Sequence, residues 1–444
     1  MERVAGERVG DVAFARTRSA ADILALGFGM TTAVWAFGYI GRMPPAPVPA
    51  TPLLVILLVA IAAGGWIAGR FSDRGWKAGL YAGLLSGVLN LLILGSVIAG
   101  RDAERGGPDV WLWVPGSLAL TAALAAAGAW IGARRPVTPR ADWTSAFAWV
   151  AAATTYLLLV AGGLVTSYQA GLAVVDWPRS FGHNMFLYPL ERMVGGIFYE
   201  HAHRLFGSLV GLTALVLTIH LHRVEPRRWV RTLSLVALAA VVVQGILGGL
   251  RVTGRFTLSQ SAAELTPNLT LAVVHGVLGQ TIFALILSIA VFTSSGWKRE
   301  APTVATAGAR TDRALAATLV ALLLVQLVLG AVQRHLRGGL HIHLTLAAIV
   351  FVVALVAGAR LARAEAPRPL RRSGLTLVTL VIVQVALGLG SLAILWLAEP
   401  TPAPTALSVA VRTAHQSVGA ALLGSAVVLA VWTRRLLRPL KAGR

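Results

Sequence analysis

The sequence predicts an all-α, polytopic membrane protein with about twelve transmembrane helices. Two observations carry this prediction. Hydrophobic residues make up 56% of the 444 residues and charged residues only 13%, which is more apolar surface than one soluble core can bury. The apolar residues also form long runs separated by proline, glycine and charge. A bilayer must therefore serve as the solvent for most of this chain.

Each apolar run is long enough to cross the hydrocarbon core of a bilayer as a helix. In chain order the runs cover residues 22–41, 52–69, 78–100, 111–133, 145–167, 200–222, 232–252, 269–294, 314–334, 341–359, 374–397 and 408–432. We expect the first run to stay in the protein as a helix. The arginine-bearing segment before it lacks the compact apolar stretch and cleavage site of a signal peptide.

The positive charges predict the orientation of these helices. The formal net charge is +21, but lysine and arginine fall in short clusters between the apolar runs, which argues against a nucleic-acid partner. With the N-terminus in the cytoplasm, 28 of the 39 lysines and arginines lie on the cytoplasmic side. We therefore expect a multi-pass protein of the cell inner (plasma) membrane, surrounded by the lipid bilayer, with both termini in the cytoplasm.

A proline- and arginine-rich segment at 134–140 is the predicted main boundary of the chain, because all ten histidines follow it. Residues 1–140 are expected to form a four-helix N-terminal membrane extension of unknown role. The last eight helices are expected to form two pseudo-symmetric four-helix bundles, one from residues 141–300 and one from residues 301–444.

A repeated motif, Val-Gln-x-x-Leu-Gly, indicates that helix pairs have been duplicated. It occurs at 243–248, 325–330 and 383–388, where the first copy reads Val-Gln-Gly-Ile-Leu-Gly. The glutamines of the first and third copies, Gln244 and Gln384, differ by 140 in residue number. The repeat therefore relates the two units by a constant shift of 140 in residue number, which we call the register.

The same register relates four histidines. His275 and His415 each follow their glutamine at a spacing of 31, and a shift of 140 also relates His343 to His203. Each unit thus contains a histidine pair at a spacing of 72.

The register also chooses between neighbouring histidines. His341 would give a spacing of 74 instead of 72, and residues two apart on a helix point about 200° away from each other. We therefore prefer His343 over His341, and His203 over His201.

These four histidines begin even-numbered helices that start at the outer face, so the two pairs lie at matched depth. Neutral imidazoles on two facing helices can ligate one haem iron axially, and a bundle interior supplies an apolar slot for the porphyrin. We expect haem iron to be bound by His203 with His275 and by His343 with His415. Hydrogen bonding between helices and proton relay are the alternative uses of intramembrane histidine.

Arginines near the outer helix ends are candidates for binding haem propionates. Arg251, Arg334 and Arg412 lie where the acidic edge of an outward-facing porphyrin would point. A snorkelling side chain at the membrane interface is an equally good explanation of each.

A carboxylate makes the two histidine pairs different. Glu200 lies three residues before His203 on the same helical face, whereas its counterpart in the second unit is Leu340. This difference is expected if one haem is chemically modified and the other is a redox cofactor. A helix-start carboxylate that favours the helix dipole is the alternative.

The residues from about 145 to 432 resemble the haem A synthase family, also called the Cox15/CtaA family. The resemblance rests on the Glu-x-x-His-Arg signature at 200–204 and on the segments 162–167, 170–172, 176–178, 243–249, 274–276 and 414–416. It implies eight helices in two pseudo-symmetric halves. Many members carry a cysteine pair in the first outer loop, but this chain contains no cysteine.

The resemblance also implies a role for each candidate residue. Haem b would be the cofactor, held by His343 and His415. Haem O would be the substrate, flanked by His203 and His275, with Glu200 taking part in catalysis and Arg204 of the signature binding the haem.

The implied reaction is oxidation of the C8 methyl of haem O to a formyl group, giving haem A for terminal oxidases. Haem O synthase is a candidate partner, the electron donor is unidentified, and the oligomeric state stays open. Two other readings remain: a dihaem b-type electron-transfer protein without haem modification, and a transporter that needs no iron.

Overall fold

The computed structural model describes residues 2–102, 110–137, 141–253, 268–299, 303–397 and 403–440. Its helices are α1 (Glu2–Gly41), α2 (Ala50–Phe71), α3 (Trp76–Asp102), α4 (Val110–Gly132), α5 (Trp143–Ser167), α6 (Gly195–Val224), α7 (Arg228–Thr253), α8 (Leu269–Thr293), α9 (Ser295–Lys298), α10 (Ala309–Leu336), α11 (Leu340–Leu361), α12 (Arg368–Leu397) and α13 (Ala406–Leu436). Two short 3₁₀ turns, Met185–Leu187 and Leu190–Arg192, precede α6.

The all-α polytopic membrane fold predicted from the sequence is confirmed. Within the described residues, twelve helices are long and apolar enough to cross a membrane, and only the four-residue α9 falls outside that set. The described ranges contain two strands, β1 (Val304–Thr306) and β2 (Leu437–Pro439), which pair in parallel. This pairing ties the segment before α10 to the end of α13. The inner-membrane location and the cytoplasmic termini stay predictions.

The chain divides into two compact units. Unit 1 comprises residues 1–157, 178–238 and 293–295, and unit 2 comprises residues 158–177, 239–292 and 296–444. Helices α5 and α7 thus contribute to both units. The predicted boundaries at 140 and 300 concern an internal duplication, which this clustering of contacts does not test, so they stay a prediction. Residues 138–140 of the predicted boundary segment lie outside the described residues.

In unit 1, the first four helices pack through small residues. A side chain at Gly65 or Gly69 of α2 would overlap the main chain of α4 at Ala125 and Ala129. The glycines of α3 approach the same face of α4. Small residues spaced four apart allow such close approach, which drives helix association where the lipid removes the hydrophobic gain.

Also in unit 1, α1 packs on α6 through aromatic rings. Tyr39 stacks on Phe198 with ring centroids 5.2 Å apart, and Trp35 meets Phe206 edge-on at 5.7 Å. The Tyr199 hydroxyl donates a hydrogen bond of 2.9 Å to the carbonyl of Pro44, just after α1. The N-terminal extension therefore supports the helix that carries the Glu-x-x-His-Arg signature.

In unit 2, the last four long helices form a closed bundle. Helix α10 packs on α11, α11 on α12, α12 on α13, and α13 on α10. The bundle interior contains fully buried leucines, among them Leu319, Leu377 and Leu429. Because the ring is closed in this order, α11 and α13 lie diagonally across it. These are the two helices that carry His343 and His415.

Candidate functional site

Two histidine helices of unit 2 are held by a glutamine of the preceding long helix. The side-chain amide of Gln244 on α7 donates to the carbonyl of His275 on α8 at 2.9 Å. The amide of Gln326 on α10 donates to the carbonyl of His343 on α11 at 3.0 Å. A hydrogen bond in an apolar interior is strong because water does not compete for its partners.

The glycine that ends each repeated motif lies directly against an imidazole. A Cβ atom at Gly248 would lie 3.0 Å from Cε1 of His275, and one at Gly330 would lie 3.1 Å from Cε1 of His343. Gly388 stands in the same relation to His415, also at 3.1 Å. Any larger side chain at these positions would push the ring away. The motif therefore sets the position of three histidine rings in the same way.

A second glycine makes room for the glutamine amide. A Cβ atom at Gly279 would lie 3.1 Å from Nε2 of Gln244, and one at Gly419 would lie 3.1 Å from Nε2 of Gln384. Each of these glycines follows its histidine by four residues. The pairs α7–α8 and α12–α13 thus share the same amide-to-glycine contact, as the repeat in the sequence leads one to expect.

The structure explains why Gln326 and His343 differ by only 17 in residue number, whereas Gln244 and His275 differ by 31. Only residues 337–339 connect α10 to α11, whereas residues 254–268 connect α7 to α8. Arg337 and Gly339 adopt left-handed backbone conformations, with φ of 55° and 80°, which turn the chain sharply. The smaller separation between Gln326 and His343 thus comes mainly from the shorter connection between α10 and α11. The hydrogen bond from Gln326 to His343 is kept.

His343 and His341 have different surroundings. His343 is half-buried against α10, whereas His341 is exposed and its carbonyl accepts a hydrogen bond from the Thr345 hydroxyl. His415 likewise lies against the helix that precedes it, since its ring is close to Gly388 of α12.

The three predicted propionate-binding arginines belong to unit 2 and lie in one basic cluster. Arg334 interacts electrostatically with Arg412 and Arg337, and His335 interacts with Arg251 and Arg334. Like charges gathered in this way repel each other, so the cluster favours an anionic partner such as a carboxylate. One member is also fixed by the main chain, since the Arg334 guanidinium donates to a carbonyl of α5 at 2.7 Å.

In unit 1, the signature carboxylate forms a buried ion pair. Arg204 donates to Glu200 at 2.8 Å, and the two side chains are 10% and 5% exposed. Arg204 also donates to the carbonyl of Arg179 in the preceding loop at 3.0 Å. His203 lies between them in sequence and is half-buried. The ion pair holds the carboxylate charge in an apolar environment where an isolated charge would be costly.

His201 is fully buried and contacts the loop before α6. Its Nδ1 lies 3.0 Å from the Ser180 hydroxyl, and its ring centroid lies 5.0 Å from that of Tyr188. Ser180 in turn exchanges main-chain hydrogen bonds with His183. His201 thus anchors the loop between α5 and α6 on α6.

The two histidines predicted to flank the first haem belong to different units, His203 to unit 1 and His275 to unit 2. Their pairing therefore stays a prediction. Asp176, which lies in the connection between α5 and α6, is buried in unit 2.

Two further histidines lie at the other end of α6. His220 contacts the Thr144 hydroxyl at 3.1 Å, and His222 contacts the carbonyl of Thr218 at 2.9 Å. These contacts to neighbouring hydroxyl and carbonyl groups are in keeping with structural roles.

The part played by the glutamines was not anticipated from the sequence. The repeated motif revealed the duplication, but a repeat by itself does not say which groups its side chains contact. The fixed spacing from Gln244 to His275 and from Gln384 to His415 was the signal that connected them.

A comparison with protein families adds an independent finding. The family model COX15-CtaA, described as cytochrome oxidase assembly protein, matches residues 145–343. The matched segment contains Glu200, His203, Arg204, His275 and His343. A search of curated proteins finds no match to this chain.

Proposed function

We propose that this chain, whose segment 145–343 belongs to the COX15-CtaA family of cytochrome oxidase assembly proteins, is a haem A synthase. The proposed reaction oxidises the C8 methyl group of haem O to a formyl group by successive hydroxylations. The conversion replaces two hydrogens of the methyl carbon by one oxygen atom, which is a four-electron oxidation of that carbon. Each hydroxylation by dioxygen takes two electrons and two protons from a donor and releases one water, and loss of a further water after the second step gives the formyl group. The product, haem A, would then serve a terminal oxidase.

The observation that carries this proposal is the buried Glu200–Arg204 ion pair beside His203. The second half has Leu340 at the position corresponding to Glu200, so the two haem sites would differ in chemistry. A protein that only passed electrons between two bound haems would not need a carboxylate at one of them. The asymmetry therefore favours a site that works on one haem and uses the other as a cofactor.

The residues of the closed bundle suit a bound haem b. His343 and His415 lie on diagonal helices, and each ring rests on a glycine, Gly330 or Gly388, that leaves its helix face flat. When bound there, the haem would supply one-electron redox chemistry. The two histidines would bind its iron, while Arg334 and Arg412 would bind its propionates.

The residues of the first site would each have a different role in the reaction. Glu200 would accept a proton on its carboxylate during oxidation of the methyl group, because a carboxylate beside the reacting carbon is the nearest base that the signature supplies. Arg204 would hold the Glu200 carboxylate in place through their hydrogen bond until that step. As the family resemblance implies, His203 and His275 would flank the haem O substrate, and Arg251 in the last turn of α7 would bind a propionate.

Haem chromatography tests the proposal. The chain is expressed in a host that makes haem O but has no haem A synthase of its own, and pigments are extracted from its membranes. We expect a haem A peak that is absent from the empty-vector control. Haem B alone, at a normal level of the inserted protein, would instead support an electron-transfer cytochrome, and a protein without haem would support a transporter.

A further inference from the structure

The ends of α2 and α4 carry the same short sequence, which the proposed reaction does not use. Residues 66–70 read Trp-Ile-Ala-Gly-Arg and residues 130–134 read Trp-Ile-Gly-Ala-Arg. Each copy lies at the end of a helix long and apolar enough to cross a membrane, and both copies belong to unit 1. We call Trp66, Arg70, Trp130 and Arg134 the tryptophan–arginine patch.

Within each copy the arginine lies over the ring of the tryptophan. The guanidinium carbon of Arg70 is 5.1 Å from the ring centroid of Trp66, and that of Arg134 is 3.7 Å from the ring centroid of Trp130. Both rings are on the surface, 40% and 56% exposed. A guanidinium that stacks by its flat face keeps the N–H groups along its edge available to an acceptor.

The two copies lie side by side because α2 and α4 touch through their main chains. A Cβ atom at Gly69 of α2 would overlap the carbonyl of Ala129 of α4. One at Gly132 of α4 would overlap the carbonyl of Trp66 and would lie 3.1 Å from the main-chain nitrogen of Arg70. Contacts between the last turns of both helices require the helices to run parallel and to end together. Both arginines therefore leave the main chain at the same end of the extension.

The chain after α4 and the start of α3 add further positive charge at this end. The Val137 amide donates to the carbonyl of Arg70 at 3.0 Å. A Cβ atom at Gly75, just before α3, would lie 3.9 Å from the Cβ atom of Ala133. Segments 70–77 and 134–137 together contain five basic residues and one acidic residue, Asp73. The ends of three helices thus form one basic surface.

The two arginines of the patch have no acidic partner. Within the described residues, neither Arg70 nor Arg134 forms an ion pair with a carboxylate, whereas Arg74 lies 3.7 Å from the buried carboxylate of Asp22. An arginine at a helix end also favours the helix dipole, but that effect needs no tryptophan beneath the guanidinium. The stacked and unpaired guanidinium groups suit an anion with several oxygen atoms.

We propose that the tryptophan–arginine patch binds the phosphate of an anionic phospholipid of the surrounding bilayer. Tryptophan concentrates at the level of the lipid headgroups, so the guanidinium groups on these rings lie at the depth of the phosphates. The fork of an arginine side chain can donate two hydrogen bonds to one phosphate. The excess of positive charge selects a headgroup of net negative charge over a zwitterionic one.

Lipid titration of the purified full-length protein, followed by native mass spectrometry, tests the proposal. Phosphatidylglycerol is the anionic probe and phosphatidylcholine the zwitterionic one. We expect Arg70→Gln combined with Arg134→Gln to weaken binding of phosphatidylglycerol by about 10-fold or more, because each basic residue near an anionic lipid surface contributes to binding. Binding of phosphatidylcholine should not change.

Arg371→Gln combined with Arg372→Gln is the matched control. These two arginines are exposed on α12 in unit 2, and their replacement changes the net charge by the same amount. The control should bind phosphatidylglycerol as the wild type does. An equal loss of affinity in the control, or no loss in the patch variant, would overturn the proposal.

A second pair of substitutions, Arg70→Lys with Arg134→Lys, keeps the charge and also serves if the glutamine variant does not fold. Lysine retains the positive charge that the helix dipole favours, but it lacks the flat fork that stacks on the ring and binds phosphate with two hydrogen bonds. We expect a severalfold loss of affinity for phosphatidylglycerol. Unchanged affinity would show that charge alone attracts the lipid, and the patch would not be a site.

Inorganic phosphate distinguishes a lipid site from a site for a free anion. Added to the wild type with bound phosphatidylglycerol, it should release no more lipid than chloride does at the same ionic strength. Release by phosphate alone would identify a free-anion site and overturn the lipid assignment. No haem enters these measurements, so their outcome does not depend on the proposed function.

Discussion

At the residue scale, Glu200 is the side chain on which the proposed chemistry depends. Its ion pair with Arg204 is almost fully buried, so removing the charge changes the site without exposing it to water. Glu200→Gln should still insert and keep the haem at His343 and His415, while haem A formation falls by about 10²-fold or more, as for loss of an acid–base group. Chromatography should show haem O or a partly oxidised haem. If Glu200 only holds Arg204 and the preceding loop in place, haem A would form at nearly the wild-type level.

The choice between neighbouring histidines gives a second prediction at this scale. His343→Ala or His415→Ala should abolish the low-spin spectrum of the cofactor haem, because each ring lies against the helix that precedes it in the bundle. His341→Ala is the control, since its side chain is exposed. The absorbance of the reduced protein measures the outcome. Equal losses at positions 341 and 343 would show that the histidine spacing of 72 selected the wrong residue.

The sequence could identify candidate ligands because duplication leaves a countable spacing. It could not predict the Gln244–His275 or Gln326–His343 hydrogen bonds, since each joins two helices whose relative height is set by packing. The Ser180–His201 contact was also beyond prediction, because Ser180 lies in a loop and no periodicity connects a loop residue to the helix that follows it.

At the scale of the helix, the glycine beneath each ring should be intolerant of substitution. Gly388→Val should displace His415, because even a Cβ atom there would lie 3.1 Å from Cε1. The cofactor haem should then be lost or become high-spin. Gly245→Val is the control, since no atom lies within 4 Å of a Cβ at that position of α7. An unchanged low-spin spectrum in Gly388→Val would show that the ring does not depend on this contact.

The turn between α10 and α11 makes a separate prediction. Gly339 has φ of 80°, where a side chain is strained, so Gly339→Ala should destabilise the bundle by about 1 kcal/mol. Arg337→Gly should not destabilise it, because Arg337 already adopts a left-handed conformation and glycine relieves that strain. Thermal loss of the cofactor haem absorbance measures both. A lower midpoint for Arg337→Gly than for Gly339→Ala would contradict this account of the turn.

At the scale of the whole molecule, the twelve spans were predictable because hydropathy and length alone specify them. The two units were not, since their boundaries fall within α5 and α7 and depend on which residues pack together. The contact between α1 and α6 could not be predicted from the sequence either. Its aromatic residues, Tyr39 and Phe198 among them, look in sequence like any other residues of a membrane helix.

Removal of residues 1–140 tests how far the two units depend on each other. Unit 2 contains His343, His415 and the closed bundle, so the truncated protein should keep the cofactor haem. It should make less haem A than the full chain, because α6 loses its aromatic contacts with α1. Haem spectra and pigment chromatography of the inserted truncation measure the two effects. Loss of all haem absorbance would show that the extension is required for the whole fold.

The most direct test of the central claim is conversion of haem O by the purified protein. The full-length chain, loaded with haem b, is incubated with haem O in air together with an electron carrier, and the haems are then extracted for mass spectrometry. We predict a product whose mass shows two hydrogens of a methyl group replaced by one oxygen atom, and no such product from Glu200→Gln. Recovery of unchanged haem O from a wild-type protein that retains its cofactor haem would contradict the claim.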